Sequence, residues 1–340
     1  MRKIVLIFLL TFFLSAWAQK DIQTMIQPNV HASIMHEQSA LYRNYNFTTD
    51  QQWDSLREKI SGKKTINGKG GVHKNNAICP MQKRVYGWHP YWNGSTYLNY
   101  DWTRLTDFCY FDYSVNASSG ANTNPSFAWS TSAAVTAAIN NGVNAHICAT
   151  LFSSHATFWA NSSAQQTLIT NLINLVQSRG GKGVNIDFEG MGSADKVPFT
   201  NFMNNLCTQM HSAVPGSEVS VALYAVDWSN TFDLAVLNQF VDYFIFMGYD
   251  YYWSGSTSAG PESPLYNFQT SYNYTLNKTI TYYIKQGVTP AKLLAGLPYY
   301  GREWETTGSS APSTTTGNFT TTRTYSAVRN NANGYYNTPS

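Results

Sequence analysis

Seven short apolar runs, parted by stretches with helical spacing, constrain this chain more than any other feature. The runs are residues 84–88, 107–115, 144–152, 183–188, 218–225, 241–248 and 292–297. Residues 131–141 are alanine-rich, and 162–179 carry Leu168, Leu172, Leu175 and Val176 on one helical stripe. Residues 199–210 repeat Phe202, Leu206 and Met210, and shorter helical patterns follow at 233–241 and 272–286. Strands alternating with helices form right-handed βαβ units around a parallel sheet. No dinucleotide glycine fingerprint follows the first run, so a barrel fits better than a doubly wound sheet. The predicted fold class is therefore α/β, a (β/α)8 TIM barrel over residues 83–340. Only seven runs can be counted, and after Trp304 a Ser/Thr-rich stretch reads as a weakly structured tail. The barrel is expected to be truncated before strand eight, because a missing strand would leave two unpaired edges.

Ahead of the barrel, Arg2 and Lys3 precede an apolar run ending near Leu14, and Ala16-Trp17-Ala18 offers small residues at cleavage spacing. Residues 1–18 read as a signal peptide, too short for a membrane span, so a secreted protein is expected. Residues 19–82 read as a leader or docking segment. It carries one helix over 49–60, capped by Thr49, with Trp53, Leu56 and Ile60 on one stripe, and a flexible linker over 61–71. Charged residues make up 12% of the chain and the net charge is +3 with no basic run, so no nucleic acid partner is indicated. Aromatics reach 15%, with 23 Tyr and 10 Trp, which suits sugar faces as well as a merely tyrosine-rich surface. Export permits disulfides among Cys79, Cys109, Cys148 and Cys207, but their pairing stays open. No Cys/His spacing matches a zinc site.

Residues 182–189 read Lys-Gly-Val-Asn-Ile-Asp-Phe-Glu. In a strand, Asn185, Asp187 and Glu189 share one face while Val184, Ile186 and Phe188 share the other. Two carboxylates cannot sit in an ordinary core, so the strand either lies at a solvated edge or lines a pocket. Barrel chemistry gathers at the C-terminal strand ends. Those ends bring Trp88, Tyr110 to Asp112, Asp187 to Glu189, Met247 to Trp253, and Tyr299 to Trp304 to one mouth, which describes a carbohydrate cleft.

The octapeptide resembles the strand-four signature of glycoside hydrolase family 18. Met247-x-Tyr249-Asp250 is similar to that family's strand-six motif, and Tyr300-Gly301-Arg302 to its strand-seven motif. The resemblance implies a retaining, substrate-assisted glycosidase without a metal or other cofactor. It makes Glu189 the general acid and base, Asp187 the residue that orients the acetamido N–H, Tyr249 a donor to the acetamido oxygen and Asp250 their partner. Asn185, Met247, Tyr300, Arg302, Tyr110 and Trp88 would contact substrate. A neighbouring acid is expected to raise one carboxyl pKa, as suits a proton donor. Asn185 stands where the family often has Asp and is expected to donate a hydrogen bond to Asp187.

The expected substrate is a β-1,4-linked N-acetylglucosamine polymer, chitin first, acted on by a monomer. The Asn-Ile-Asp-Phe-Glu form also resembles the branch of spore-cortex and peptidoglycan hydrolases, so peptidoglycan or N-glycan cores are alternatives. A non-catalytic chitin-binding lectin on the same fold is the reading from another class.

Overall fold

The computed structural model describes residues 33–61, 81–268 and 272–329. The expectations placed on residues 1–18, on the linker beyond Ser61 and on Cys79 lie outside these. Seven parallel strands run in sequence order: β1 (Tyr86–Pro90), β2 (Asp107–Ser114), β3 (Asn144–Leu151), β4 (Gly183–Phe188), β5 (Glu218–Leu223), β6 (Tyr243–Met247) and β8 (Leu293–Gly296). The helices α3 (Ala133–Asn140), α4 (His155–Trp159), α5 (Ser162–Arg179), α6 (Lys196–Ala213), α7 (Leu234–Leu237) and α8 (Leu276–Lys285) intervene. This is the succession of a TIM barrel, with no eighth parallel strand among the described residues. No helix among them is long and apolar enough to cross a membrane.

Local chemistry sets these elements. Asn161 starts α5 by accepting from the Ala164 N–H with its side chain, and Gly180 ends it in the left-handed conformation at φ 63°. The strand β4 lies between β3 and β5, so the solvated-edge alternative does not hold. Its apolar face is buried against helices, with Phe188 5.8 Å from both Phe158 and Phe202. Gly183 has a specific reason. A β-carbon there would stand 1.8 Å from the Glu218 carbonyl oxygen, so glycine is what lets β4 and β5 approach. Cys109 pairs in register with His146, and Cys148 with Phe111, two positions on. Cys109, Cys148 and Cys207 are buried free thiols.

Two parts depart from the sequence reading. The Ser/Thr-rich stretch beyond Trp304 is not a weak tail. It forms β10 (Ser313–Thr324), which pairs antiparallel with β9 (Tyr300–Thr306) and with β7 (Ser258–Ala259), before the short α9 (Tyr325–Arg329). Polar composition suggested a loop, but threonine is β-branched and favours a pleated ladder. Residues 300–304 thus belong to an antiparallel hairpin, not to the end of the seventh parallel strand.

The N-terminal region holds the second departure. The expected helix is present as α2 (Asp50–Ser61), with Thr49 and Gln52 forming a reciprocal cap. A further helix, α1 (Ile34–Tyr42), precedes it, capped by Ser33, whose hydroxyl oxygen accepts from the His36 N–H at 3.1 Å. Trp53 of α2 is buried, its ring 5.3 Å from Tyr91 and 4.9 Å from Phe47. Residues from Ser33 onward form one compact unit.

Candidate active site

The polar face of β4 looks onto side chains from β1, β3 and β5. Trp88 Nε1 donates to Asn185 Oδ1 at 3.4 Å, and Asn185 Nδ2 donates to Ser220 Oγ at 2.9 Å. The Cys148 thiol lies 3.6 Å from Asn185 Oδ1 and 4.0 Å from Asp187 Oδ2. Asn185 therefore does not donate to Asp187 as expected, because Ser220 on the neighbouring strand is the better-placed acceptor. Asp187 is 5% exposed, and its Oδ1 has no hydrogen-bond partner among the described residues. A buried unpaired oxygen of this kind is costly and marks a place where a ligand N–H fits.

Glu189, one residue beyond β4, is 6% exposed and its Oε1 accepts from Ser33 Oγ at 2.6 Å. Burial, and then the charge of Asp187, push its carboxyl well above the usual range, with Asp250 adding to the effect and Ser33 opposing it. Asp187 itself is pushed up to about 7, first by burial and then by Asp112. Tyr249 follows β6, and its phenol is raised by burial and by the fields of Asp187, Glu189 and Asp250. Those three acids and the tyrosine thus form one electrostatic cluster.

Asp250 is held from several sides. Its backbone is left-handed at φ 56°, which an aspartate tolerates better than most residues. Glu262 Oε1 accepts from its N–H at 2.7 Å, and Arg302 donates to its Oδ1 from Nη2 at 2.8 Å and from Nε at 3.0 Å. The Arg302 side chain is 2% exposed, so this pair is a buried one. Tyr300 packs beside Tyr249 with ring centroids 6.0 Å apart. Met247 ends β6 opposite Gly296, and its carbonyl accepts from the Tyr249 N–H at 2.8 Å.

Tyr110 is the expected residue that the structure does not bring to the acids. It lies among Phe127 and Trp129, with its hydroxyl toward Ser132 and the Ala128 backbone. The register of β2 shifts between Phe111 and Tyr113, and Asp112 turns inward in its place. Asp112 accepts from Thr150 Oγ1 at 2.6 Å and from Asn124 Nδ2 at 3.0 Å, and burial pushes it up to about 6. Sequence reasoning also missed Glu262, in a loop without periodicity, and Ser33 and Glu37, in a polar stretch remote from every motif. Strand-end reasoning places Asp112 at this mouth but assigns it no role.

A second polar group lies at the opposite ends of the strands. Arg84 donates to Asp107 Oδ1 at 2.7 Å and to both oxygens of Glu218 at 2.8 and 2.6 Å, and His146 Nε2 lies 2.9 Å from Asp107 Oδ1. Asp107, His146 and Glu218 are metal-ligand types within 4.8 Å of one another. The Arg84 guanidinium already bridges the two carboxylates, so the group reads as an ion network that ties strands together. Against the opposing effect of burial, the His146, Thr106 and Arg84 contacts hold Asp107 below the usual carboxylate range.

Comparison with known proteins points the same way. The chain matches the family model for glycosyl hydrolases family 18 over residues 149–338. A Bacillus subtilis (strain 168) protein named as a sporulation-specific glycosylase is 31% identical over 149 residues, which is 42% of this chain and 33% of that protein. The cortical fragment-lytic enzyme of Bacillus anthracis is 26% identical over 154 residues, 43% of this chain and 32% of that one. The chain thus spans about a third of the length of these curated relatives. Among solved structures, the Ostrinia furnacalis Group IV chitinase superposes with a TM-score of 0.61 at 18% identity, over 68% of this chain and 71% of that one. With a matching model over more than half of its residues, and the three motifs on one mouth, the chain belongs to glycosyl hydrolases family 18.

Proposed function

We propose that the protein hydrolyses β-1,4-linked N-acetylglucosamine polymers, with chitin the first substrate, by a retaining and substrate-assisted route. One observation carries this reading: Glu189 is a buried carboxyl, pushed above its usual range by burial and by Asp187, in one cluster with Asp187, Tyr249 and Asp250. Glu189 donates its proton to the glycosidic oxygen as the bond from that oxygen to C1 breaks. The substrate's acetamido oxygen bonds to C1 and forms an oxazolinium ion. Glu189, now a carboxylate, takes a proton from water as that water bonds to C1. The C1–oxygen bond of the oxazolinium ion breaks with its electron pair returning to the acetamido group, which restores the original configuration. The unpartnered Asp187 Oδ1 accepts from the acetamido N–H and holds that arm in line. The Tyr249 hydroxyl donates to the acetamido oxygen, and Arg302 fixes Asp250 beside it.

Asn185 gives this site one acid fewer than a row of three would have. That leaves Asp187 less like-charge repulsion from its own strand, and Trp88 anchors the amide instead. Bacterial cell-wall glycan is the second reading, supported by the sporulation and cortex names of the two relatives. Action outside the cell is part of the proposal and rests on the N-terminal sequence alone.

The test is Glu189→Gln assayed on colloidal chitin and on purified sacculi. The substitution removes the transferable proton and keeps the shape, so oligosaccharide release should fall by at least about a thousandfold while binding persists. Undiminished turnover removes Glu189 from the mechanism. Release from sacculi alone moves the substrate to cell wall. Tight binding to chitin with no product from the parent protein revives the lectin reading.

A further inference from the structure

A polymer-cleaving site must let a sugar chain reach its acid, yet here Glu189, Asp187, Asp250 and Arg302 are all closed off from solvent. The N-terminal helix contributes to that closure. Ser33 engages Glu189 through its hydroxyl at 2.6 Å and also through its backbone N–H. One turn on, His36 stacks on Phe152, just beyond β3, at 4.3 Å and an interplanar angle of 10°. Glu37 pairs with Arg302 Nη1 at 3.4 Å. Arg43 Nη2 donates to Ser114 Oγ at the end of β2 at 2.8 Å. Four contacts, three at the ends of β2, β3 and β4 and one on β9 of the hairpin, set α1 across the mouth.

We infer that residues 33–43 are an intramolecular occupant of the amino-sugar site, so that the protein is held latent until a sugar chain or a processing event displaces them. The inference rests on the activity proposed above and concerns its regulation. Ser33 and a glycosidic oxygen compete for the same carboxyl. While Ser33 donates to Oε1, Glu189 is engaged with the strap rather than with a leaving group. Glu37 likewise engages Arg302 Nη1, which also donates to Thr322 Oγ1 at 3.3 Å, and so adds a carboxylate beside the Asp250–Arg302 pair.

The two helices differ in how firmly they are held. In α1 only Ile34 and Ser39 are buried, and at the strand ends its contacts are polar apart from the His36–Phe152 stack. Such polar contacts exchange for water or sugar hydroxyls at little net cost. Its last residue, Tyr42, packs on Trp92 at 5.1 Å and on Trp53 at 6.0 Å and so ties the C-terminal end of α1 to α2. In α2, Trp53 is buried against Phe47 and Tyr91, and Asp54 accepts from Ser95 Oγ at 2.5 Å and from Ser95 N at 3.1 Å. Arg57 Nη1 also donates to the Asn93 carbonyl at 2.6 Å. Helix α2 is an anchor and α1 is the part that can leave, with residues 43–49 between them. An occupant tethered this way acts at high effective concentration, and it lowers apparent substrate affinity by the fraction of molecules that are open.

The test uses the full chain carrying Glu189→Gln, which keeps an acceptor for Ser33 and prevents turnover, with and without His36→Ala plus Glu37→Ala. Binding of tri-N-acetylchitotriose is read by titration calorimetry. Hydrogen exchange of residues 34–42 and 50–61 is read with and without that sugar. Weakening the strap should tighten binding about tenfold. In the chain with an unaltered strap, sugar should speed exchange in 34–42 and leave 50–61 protected, a readout that needs no strap substitution. Equal affinity in both proteins, or exchange in 34–42 that is unchanged at saturation, overturns the strap and leaves the amino-sugar reading standing. Binding by neither protein overturns that reading, and the strap with it.

Discussion

Raising the pH from about 6.5 to about 8.5 should weaken this fold, and Glu262 should supply much of the loss. Its carboxyl is pushed up to about 9, by burial first and then by Asp250, whereas an unfolded glutamate titrates near 4.3. Across that window the folded chain keeps a proton that the unfolded chain has released. Unfolding then releases a proton, so stability falls as pH rises, by about 1.4 kcal/mol per unit for each such group. Glu262 alone contributes about 3 kcal/mol over two units, an upper value because its side chain is not fully enclosed. Glu189 acts with the same sign, and Asp187, at about 7, adds to the lower half of the window. His89, pushed down to about 3 by burial, works in the opposite sense, as do His36 and His155. Most of their effect falls below about pH 6.5. Above it each adds only about 0.4 kcal/mol as the unfolded histidine finishes titrating, and together they add less than Glu262 alone removes. Urea midpoints at both pH values measure the effect. Glu262→Gln keeps the acceptor for the Asp250 N–H and holds no titrating proton, so its slope should be shallower by about 1.4 kcal/mol per unit. A parent midpoint that rises across the window, or an unchanged slope in the Gln variant, refutes the reasoning.

Two further outcomes follow from packing. Arg84→Ala leaves the fully buried Asp107 without its guanidinium and should cost about 3–5 kcal/mol of unfolding free energy, read by urea denaturation; a change near zero would mean that the network is solvated. Gly248→Ala places a β-carbon 2.4 Å from Leu276 Cδ2 and 2.7 Å from the Gly296 carbonyl oxygen, immediately before Tyr249. It should cost about 1–3 kcal/mol and lower turnover more than a surface substitution of equal cost, since the strain falls on the tyrosine; wild-type midpoint and turnover together would contradict that.

Much of the scaffold was legible because its signal is local. The run at 183–188 and the helix at 162–179 appear with the same ends in β4 and α5, where apolar period and caps agree. The hairpin of β9 and β10 was not legible, since Ser/Thr composition says loop while threonine's branching and a distant partner strand say ladder. Tyr110 shows the limit of strand-end reasoning. A shift of register on β2 exchanges which residue looks inward, and alternation alone does not reveal it. Asn185 shows another, because its hydrogen-bond partner sits on a neighbouring strand. Ser33 and Glu37 lie more than 150 residues before the carboxyl that Ser33 meets, and nothing in their spacing encodes that meeting.

The Arg84 network sits at the ends of the strands opposite the acids, and it joins segments that are far apart in sequence. Adjusting sugar preference means altering one rim of the scaffold, while the ion network at the other contributes to stability without touching the acids. The two properties should therefore be open to separate engineering, with gains at the lower rim available to offset losses incurred by remodelling the upper one.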